Sequence, residues 1–193
     1  MAALHDRKGV QPCPHECKTI RICKFGTKNG GKETGMGQKT YVPEGEQPPA
    51  SQAGASLEAL AATIAARREA GEESYTHRLL TGDVDAVLKK VMEEAGEVAL
   101  AAKDADSALY FAGESAEVAP GSTAAEHLAE AASQSVDHLR YEAADVIYHL
   151  LVVLERFGIG LDELAAELNN RMTADERPAG AVRLYDEYVR RGK

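Results

Sequence analysis

Two short segments of the chain place carboxylates at helical spacing. In KKVMEEAGEV the acids are Glu93, Glu94 and Glu97, and in YEAADVIYHLL they are Glu142 and Asp145. At about 100° per residue, each set lies on one side of its helix. Carboxylate oxygens are the ligands that hard divalent cations such as Mg²⁺ prefer. If the two helices pack together, the spacing predicts a divalent-cation site, and a cation there can also contact substrate phosphates.

The surroundings of Asp145 strengthen this interpretation. Nearly every other residue from Ala143 to Leu154 is apolar. A carboxylate close to a protein core is costly unless it is paired, protonated or bound to a metal ion. We therefore expect Asp145 to have a partner in the folded protein.

A competing interpretation treats the glutamates as an ordinary solvated helix face. Lys89 and Lys90 precede Glu93 and Glu94 by four residues, a spacing that allows surface ion pairs. The same lysines could instead reach a substrate phosphate, and the sequence leaves both possibilities open. His149 lies one turn after the second acidic pair. A hydrogen-bonded core histidine is the simpler interpretation there, because imidazole suits softer ions than Mg²⁺.

Apolar residues recur every three or four positions from residue 56 onward, which is the period of a helix. Ser56 is the predicted N-cap of the first helix, which ends near Gly71. A polar connector, EESYTHRLLTGD, follows. The second helix begins near Asp83 and carries its apolar stripe as far as Ala102.

Two further helices complete the pattern. Thr123 and Glu126 form a capping-box signature, and the apolar period then continues to Gly158. This stretch is either one long helix or two helices that break near residues 133–135. The last helix is LDELAAELNNRM. Because residues 56–172 contain no alternating strand pattern, the predicted fold is an all-α bundle.

The third helix has an unusually wide apolar face, which a second copy of the chain would cover. We therefore predict a homodimer that completes the bundle. The residues of this face are Val146, Ile147, Leu150, Leu151, Val153 and Leu154.

Residues 1–55 differ in composition from the rest and are rich in Gly and Pro, so we expect a flexible extension. Cys13, Cys17 and Cys23 all lie in this segment, close to His15. Their spacing fits no standard zinc finger, and whether they bind metal stays open. An odd number of cysteines at one end does not indicate a disulfide framework, so a reducing cytoplasm is the expected location.

The distribution of charge limits the classes of molecule that the chain is expected to bind. The chain carries a net charge of −9, of which residues 1–55 contribute eight basic against five acidic residues. The remainder holds 14 basic and 26 acidic residues, a net charge of −12. Such a domain is unsuited to binding the DNA or RNA backbone, and it needs metal ions to handle phosphates. No apolar run approaches the roughly 20 residues of a membrane helix.

The two acidic segments resemble those of the phosphoribosyl-ATP pyrophosphohydrolase family, within the MazG-like all-α nucleotide pyrophosphohydrolases. The resemblance extends over about residues 56–172 and rests on three elements: SYT, KK-x-x-EE-x-x-E-V and EAAD-x-x-YHLLV-x-L. It implies Mg²⁺-dependent hydrolysis of the α–β phosphate bond of phosphoribosyl-ATP, yielding phosphoribosyl-AMP and pyrophosphate in histidine biosynthesis. It also implies a dimer.

Carried over to this sequence, the resemblance implies that Glu94, Glu97, Glu142 and Asp145 are the metal ligands. Glu93 would orient a ligand or activate the attacking water, so that Glu93 and Glu94 are the expected catalytic residues.

The expected substrate-binding residues lie on either side of the second helix's start, and for each group a structural alternative stays open. For the connector residues the alternative is a capped, packed turn, and for the lysines it is a surface ion pair. The residues are Ser74, Tyr75, Thr76, Arg78, Lys89 and Lys90.

The chain departs from the family pattern in an acidic insert at about residues 104–138, which contains no Lys or Arg. This insert could extend the third helix, with Ala119–Ser122 as a turn, or it could form a lid that alters substrate choice. Residues 173–193 form a C-terminal tail without a chemical signature. Alternative functions are a MazG-type nucleoside triphosphate pyrophosphohydrolase and a non-catalytic helical interaction module.

Overall fold

A computed structural model describes residues 44–185 of the chain. The predictions about Cys13, Cys17, Cys23 and the rest of residues 1–43 lie outside this range. Within it, five α-helices and one 3₁₀ turn form, and no strand is present. The elements are α1 (Gln52–Ala66), a 3₁₀ turn (Arg67–Glu69), α2 (Tyr75–Thr81), α3 (Val84–Val118), α4 (Thr123–Arg156) and α5 (Leu161–Arg171). The predicted all-α fold is confirmed.

A long hairpin of α3 and α4 dominates the architecture. The two helices have 35 and 34 residues and pack extensively against each other. The tight turn between them lies at residues 119–122, as predicted, and Gly121 allows its positive φ of 73°. Ser122 caps α4 by accepting a hydrogen bond from the Ala125 N–H at 3.1 Å. The cap is therefore one residue earlier than the predicted Thr123.

The acidic insert is the outer half of this hairpin. α3 continues without interruption well beyond Ala102, and α4 is a single helix with no break near residues 133–135. At about 1.5 Å per residue, the tip lies roughly 30 Å from Glu97. The inner end of the insert therefore adjoins the predicted site, and the rest of it extends the two helices away from the site and does not fold over it.

The polar connector of the prediction is wrong, since residues 75–81 form α2. Ser74 begins the helix by accepting a hydrogen bond from the His77 N–H at 3.3 Å. Leu79 and Leu80 anchor it because both are buried. Seven residues are too few for a clear helical period, and tertiary burial decides the structure here.

α1 also begins earlier than predicted. Ser51 is its N-cap, with the side-chain oxygen 3.1 Å from the Gly54 nitrogen, and Ser56 lies inside the helix. Both serines are compatible with a cap, and the prediction of Ser56 as the N-cap is wrong.

The hydrophobic core joins α1, α2, α3 and α4 at the end of the hairpin opposite its tip. Each of these helices contributes at least one buried side chain, and Leu161 of α5 packs against the edge. The core residues are Ile64, Leu79, Leu80, Val87, Leu151 and Val152. This packing fixes the relative rotation of α3 and α4, which determines which of their acidic residues meet.

Candidate metal and nucleotide site

Three carboxylates from α3 and α4 converge close to the core. One oxygen each from Glu94, Glu97 and Glu142 lies within 4.8 Å of the others. We call these three residues the acidic cluster. Glu94 and Glu142 retain only 5% and 7% of their exposure, whereas Glu97 is exposed. The acidic cluster is therefore buried at Glu94 and Glu142 and open to solvent at Glu97.

The helical positions explain the convergence. Glu94 and Glu97 are three residues apart on α3, so their side chains lie on the same side of the helix. Glu94 belongs to the buried face of α3 together with Val87, Ala101 and Ala105. Glu142 belongs to the buried face of α4 and meets them from the opposite helix.

The structure brings together three of the four predicted ligands. Asp145 lies three residues after Glu142 and is half-buried, but it is not a member of the acidic cluster. Its backbone carbonyl accepts a hydrogen bond from the Nδ1 of His149 at 2.9 Å.

Glu93 also lies outside the cluster, on the exposed side of α3. Its carboxylate is 3.4 Å from the Lys89 ammonium and 3.2 Å from that of Lys90. These hydrogen-bonded ion pairs, first with Lys90 and then with Lys89, lower the pKa of Glu93. Both lysines therefore make the helix-surface ion pairs that the sequence left as one alternative.

Lys90 also reaches into the cluster. Its Nζ lies 2.7 Å from Oε1 of Glu94. The hydrogen bond from Lys90 lowers the pKa of Glu94, although burial acts in the opposite direction. The bonds to Glu94 and Glu93 raise the pKa of Lys90. The Lys90 ammonium group therefore already neutralises part of the negative charge at the buried side of the acidic cluster.

The remaining carboxylates still repel one another. A hydrogen bond with the Glu94 carboxyl group, together with burial and the nearby charge of Glu142, raises the pKa of Glu97. Glu142 has its own partner in His138, whose Nε2 lies 2.9 Å from Oε1. We did not anticipate His138 from the sequence, although its position four residues before Glu142 could have indicated it.

The predicted substrate-binding residues of α2 all make contacts within the protein. Ser74 caps the helix, and the Tyr75 hydroxyl lies 3.1 Å from Nε2 of His149. The Thr76 hydroxyl lies 2.7 Å from that of Tyr148, and Arg78 donates to the Glu72 carbonyl at 2.7 Å. The capped, packed turn is thus present, and Tyr75 remains 45% exposed beside it.

The prediction of a hydrogen-bonded core histidine at His149 is confirmed. Its side chain is buried and bonds both Tyr75 and the carbonyl of Asp145. Its Nδ1 is also 3.9 Å from Oε1 of Glu94. No local sequence pattern indicates the hydrogen bond to Tyr75 of α2, because the two partners are 74 residues apart.

The donor set fits a hard divalent cation. All three groups of the acidic cluster offer carboxylate oxygen, and two of them are buried, where uncompensated like charges are unfavourable. The hydrogen bond with Glu94, burial and the charges of Glu94 and Glu142 raise the pKa of Glu97, and a cation at this position would offset the repulsion between these charges. The open side would leave its remaining positions to water or phosphate oxygens.

None of the helices between residues 44 and 185 has the length and apolarity required to cross a membrane. No solved structure matches the chain significantly.

Known proteins resemble the helical region. The family model for phosphoribosyl-ATP pyrophosphohydrolase matches residues 57–172. A phosphoribosyl-ATP pyrophosphatase from Paracidovorax citrulli is 35% identical over 127 residues, which cover 64% of this chain and 74% of the relative. One from Pyrobaculum islandicum is 38% identical over 104 residues, or 54% of this chain and 80% of the relative.

A longer relative has the same region within a larger protein. The histidine biosynthesis bifunctional protein HisIE from Halalkalibacterium halodurans is 36% identical over 117 residues, which cover 61% of this chain but only 41% of the relative. The matched region of this chain includes α2, α3, α4 and α5, and hence the acidic cluster. The chain belongs to the phosphoribosyl-ATP pyrophosphohydrolase family.

Proposed function

We propose that this protein hydrolyses the α–β phosphate bond of phosphoribosyl-ATP, releasing phosphoribosyl-AMP and pyrophosphate as a step in histidine biosynthesis. Residues 56–172 are the catalytic unit in this proposal, and the cytoplasm is its location. The family match and the names of the relatives support the substrate. The convergence of Glu94, Glu97 and Glu142 is the structural observation that carries the proposal.

The acidic cluster is the proposed Mg²⁺ site, with Asp145 available one turn further along α4. Bound Mg²⁺ would neutralise polyphosphate charge and lower the pKa of a coordinated water. Glu94 and Glu142 would hold the ion rigidly, because the surrounding helices restrict their buried side chains. Glu97, on the open side, can approach an incoming ligand with little rearrangement.

Other residues supply charge and orientation. Glu93 is exposed next to the cluster, where its carboxylate can accept a proton from the attacking water or orient a ligand. Lys90 is paired with both Glu93 and Glu94, and its ammonium group would pair with a phosphate oxygen instead when a metal ion takes its place at Glu94. Ser74, Tyr75, Thr76 and Arg78 are the proposed substrate-binding residues, and the Tyr75 hydroxyl bonds His149, which lies 3.9 Å from Glu94.

We also propose a homodimer. Several apolar side chains at the same level of the hairpin are exposed, among them Leu88 and Met92 on α3 and Ile147 and Leu150 on α4. An exposed apolar face of this kind is unfavourable in water, and a second copy of the chain would cover it.

The activity is tested by measuring pyrophosphate release from phosphoribosyl-ATP with and without Mg²⁺, beside a panel of ordinary nucleoside triphosphates. We expect release only from phosphoribosyl-ATP and only when Mg²⁺ is present. Release from the other triphosphates alone would establish a MazG-type activity instead. If no substrate reacts, the protein is a non-catalytic helical module and the proposal is wrong.

A further inference from the structure

Two adjacent residues of α2 are hydrogen-bonded to two adjacent residues of α4. The Tyr75 hydroxyl contacts Nε2 of His149 at 3.1 Å, and the Thr76 hydroxyl contacts that of Tyr148 at 2.7 Å. The pairs are 74 and 72 residues apart in the chain. The first turn of α2 is therefore fastened to the helix that carries Glu142.

The hydrogen bonds of His149 fix the direction of its contact with Tyr75. Its Nδ1 lies 2.9 Å from the Asp145 carbonyl oxygen, which can only accept, so Nδ1 carries a proton. In a neutral imidazole, Nε2 then has a free lone pair. The Tyr75 hydroxyl is therefore the hydrogen-bond donor to Nε2, and its oxygen lone pairs stay available to accept other hydrogen bonds.

Tyr75 is anchored at one end and open at the other. Tyr75 as a residue is 45% exposed, although its hydroxyl bonds His149, which is only 5% exposed. Burial raises the pKa of Tyr75, although the nearby Lys90 ammonium lowers it, so the hydroxyl keeps the proton that it donates. The Arg78 guanidinium lies 6.0 Å from the ring centre, and His149 lies 3.9 Å from Glu94.

We propose that His149 is a positioning residue, which holds the Tyr75 hydroxyl so that the exposed ring forms a fixed wall for the substrate beside the acidic cluster. This inference rests on the proposed function. Because Tyr75 contacts the substrate before and during the reaction alike, its loss weakens binding more than it slows the chemical step. His149 acts through Tyr75 and makes no contact with the reacting atoms.

Two substitutions of His149 separate its two hydrogen bonds. His149→Asn can still donate to the Asp145 carbonyl but is too short to reach Tyr75, whereas His149→Gln places a carbonyl oxygen near the position of Nε2. We expect His149→Asn and Tyr75→Phe each to raise KM by about tenfold, with kcat within about threefold of the wild type. His149→Gln should restore KM to within about threefold.

A double variant tests whether the two residues act together. If His149 works through Tyr75, combining His149→Asn with Tyr75→Phe raises KM no further than either change alone. Tyr110→Phe is the matched control, since Tyr110 lies on the exposed outer part of α3, and its KM should equal that of the wild type. Additive effects, or a Tyr75→Phe variant with normal KM, would overturn the proposal.

Nuclear magnetic resonance provides a readout that does not require turnover. Long-range ¹H–¹⁵N spectra should show His149 protonated at Nδ1, with an Nε2 signal that shifts in Tyr75→Phe and not in Tyr110→Phe. An Nε2-protonated ring, or a signal that is indifferent to Tyr75, contradicts the proposal. If the wild type fails to hydrolyse phosphoribosyl-ATP, the proposed function falls, and these spectra still decide whether His149 holds Tyr75.

Discussion

At the scale of single residues, the central feature is that the carboxyl groups of Glu94 and Glu142 are buried. Each has a basic neighbour: the Lys90 ammonium lies 2.7 Å from Glu94, and the His138 ring lies 2.9 Å from Glu142. Glu97, by contrast, has a raised pKa because its strongest contact is another carboxyl group. This imbalance is what a divalent cation would correct.

Glu97→Gln should reduce pyrophosphate release by about 100-fold or more, because it removes one charged oxygen ligand and leaves the side-chain shape unchanged. The helix content, measured by circular dichroism, should not change, since Glu97 is exposed. Glu114→Gln, on the exposed outer part of the same helix, is the control and should retain full activity. Unchanged turnover in Glu97→Gln would exclude this residue as a ligand.

The raised pKa of Glu97 also predicts a pH dependence of stability in protein freed of divalent cations. A raised pKa in the folded state gives stability that is complete below the ordinary value of 4.5 and is lost as the pH rises through the folded-state pKa. The Glu97→Gln variant has no carboxyl group at this position, so it does not lose this stability as the pH rises. Its free energy of unfolding relative to the wild type, measured with urea, should therefore increase from pH 4.5 toward neutrality.

Mg²⁺ should reverse that difference. When the cation binds the folded wild type, its binding energy adds to the stability, and the variant with a weakened site gains less. A relative stability that does not depend on pH, with or without Mg²⁺, would contradict the repulsion inferred between Glu94 and Glu97.

At the scale of helices, the attachment of α2 to α4 decides the shape of the site. Arg156, at the end of α4, donates to the carbonyls of Leu79, Leu80 and Gly82 at 2.9, 3.1 and 2.6 Å. These carbonyls end α2 and have no partner further along the helix. One guanidinium group thus closes the C-terminal end of α2, while His149 and Tyr148 hold its beginning.

Arg156→Ala should lower the free energy of unfolding by about 2 kcal/mol, because it leaves several carbonyls of α2 without their charged donor. Arg140→Ala is the matched control, since Arg140 is exposed on the same helix and pairs with Asp137 one turn away. That change should cost about 0.5 kcal/mol or less. Equal effects in urea denaturation would mean that Arg156 does not anchor α2.

The outer half of the hairpin provides a second prediction at this scale. Deleting residues 108–118 and 123–133 removes eleven residues from each helix and retains the turn at residues 119–122. Eleven residues are close to three whole turns, about 16 Å, so the helices keep their rotation. We expect kcat/KM for phosphoribosyl-ATP to stay within about threefold of the wild type.

A large loss of kcat/KM, or a gain of activity on other triphosphates, would show that the outer hairpin contributes to substrate choice. The expected result follows from distance, since the deleted segments lie beyond the residues that form the acidic cluster. A circular dichroism spectrum of the shortened protein establishes that the hairpin still forms.

At the scale of the whole molecule, the exposed apolar side chains of α3 and α4 predict the assembly. Met92 and Ile147 are 77% and 43% exposed. Light scattering coupled to size exclusion should give twice the chain mass of 20.6 kDa for the wild type. Combining Met92→Glu with Ile147→Glu should yield a monomer, because the interface would bury unpaired charges.

Val118→Glu, at the tip of the hairpin, is the control for added charge and should leave the dimer intact. A monomeric wild type would exclude the proposed dimer. A dimer that persists in the double variant would place the interface on another surface.

Much of this protein could be predicted from the sequence because helical periodicity is local. The all-α fold, the start of α3 near Asp83, the turn at residues 119–122 and the acids of both helices all follow from spacing within about one or two turns. The family could also be predicted, because the same segments resemble those of the phosphoribosyl-ATP pyrophosphohydrolases. These features do not depend on which helix packs against which.

Tertiary structure alone decided the rest. Packing rotates α3 so that Glu94 is buried and Ala95 exposed. It also divides the apolar face that was expected between two copies, because Leu151 enters the core while Ile147 and Leu150 stay at the surface. α2 forms because Leu79 and Leu80 enter a core built by distant helices. The contact between Tyr75 and His149 joins residues 74 positions apart, and no local pattern encodes such a distance.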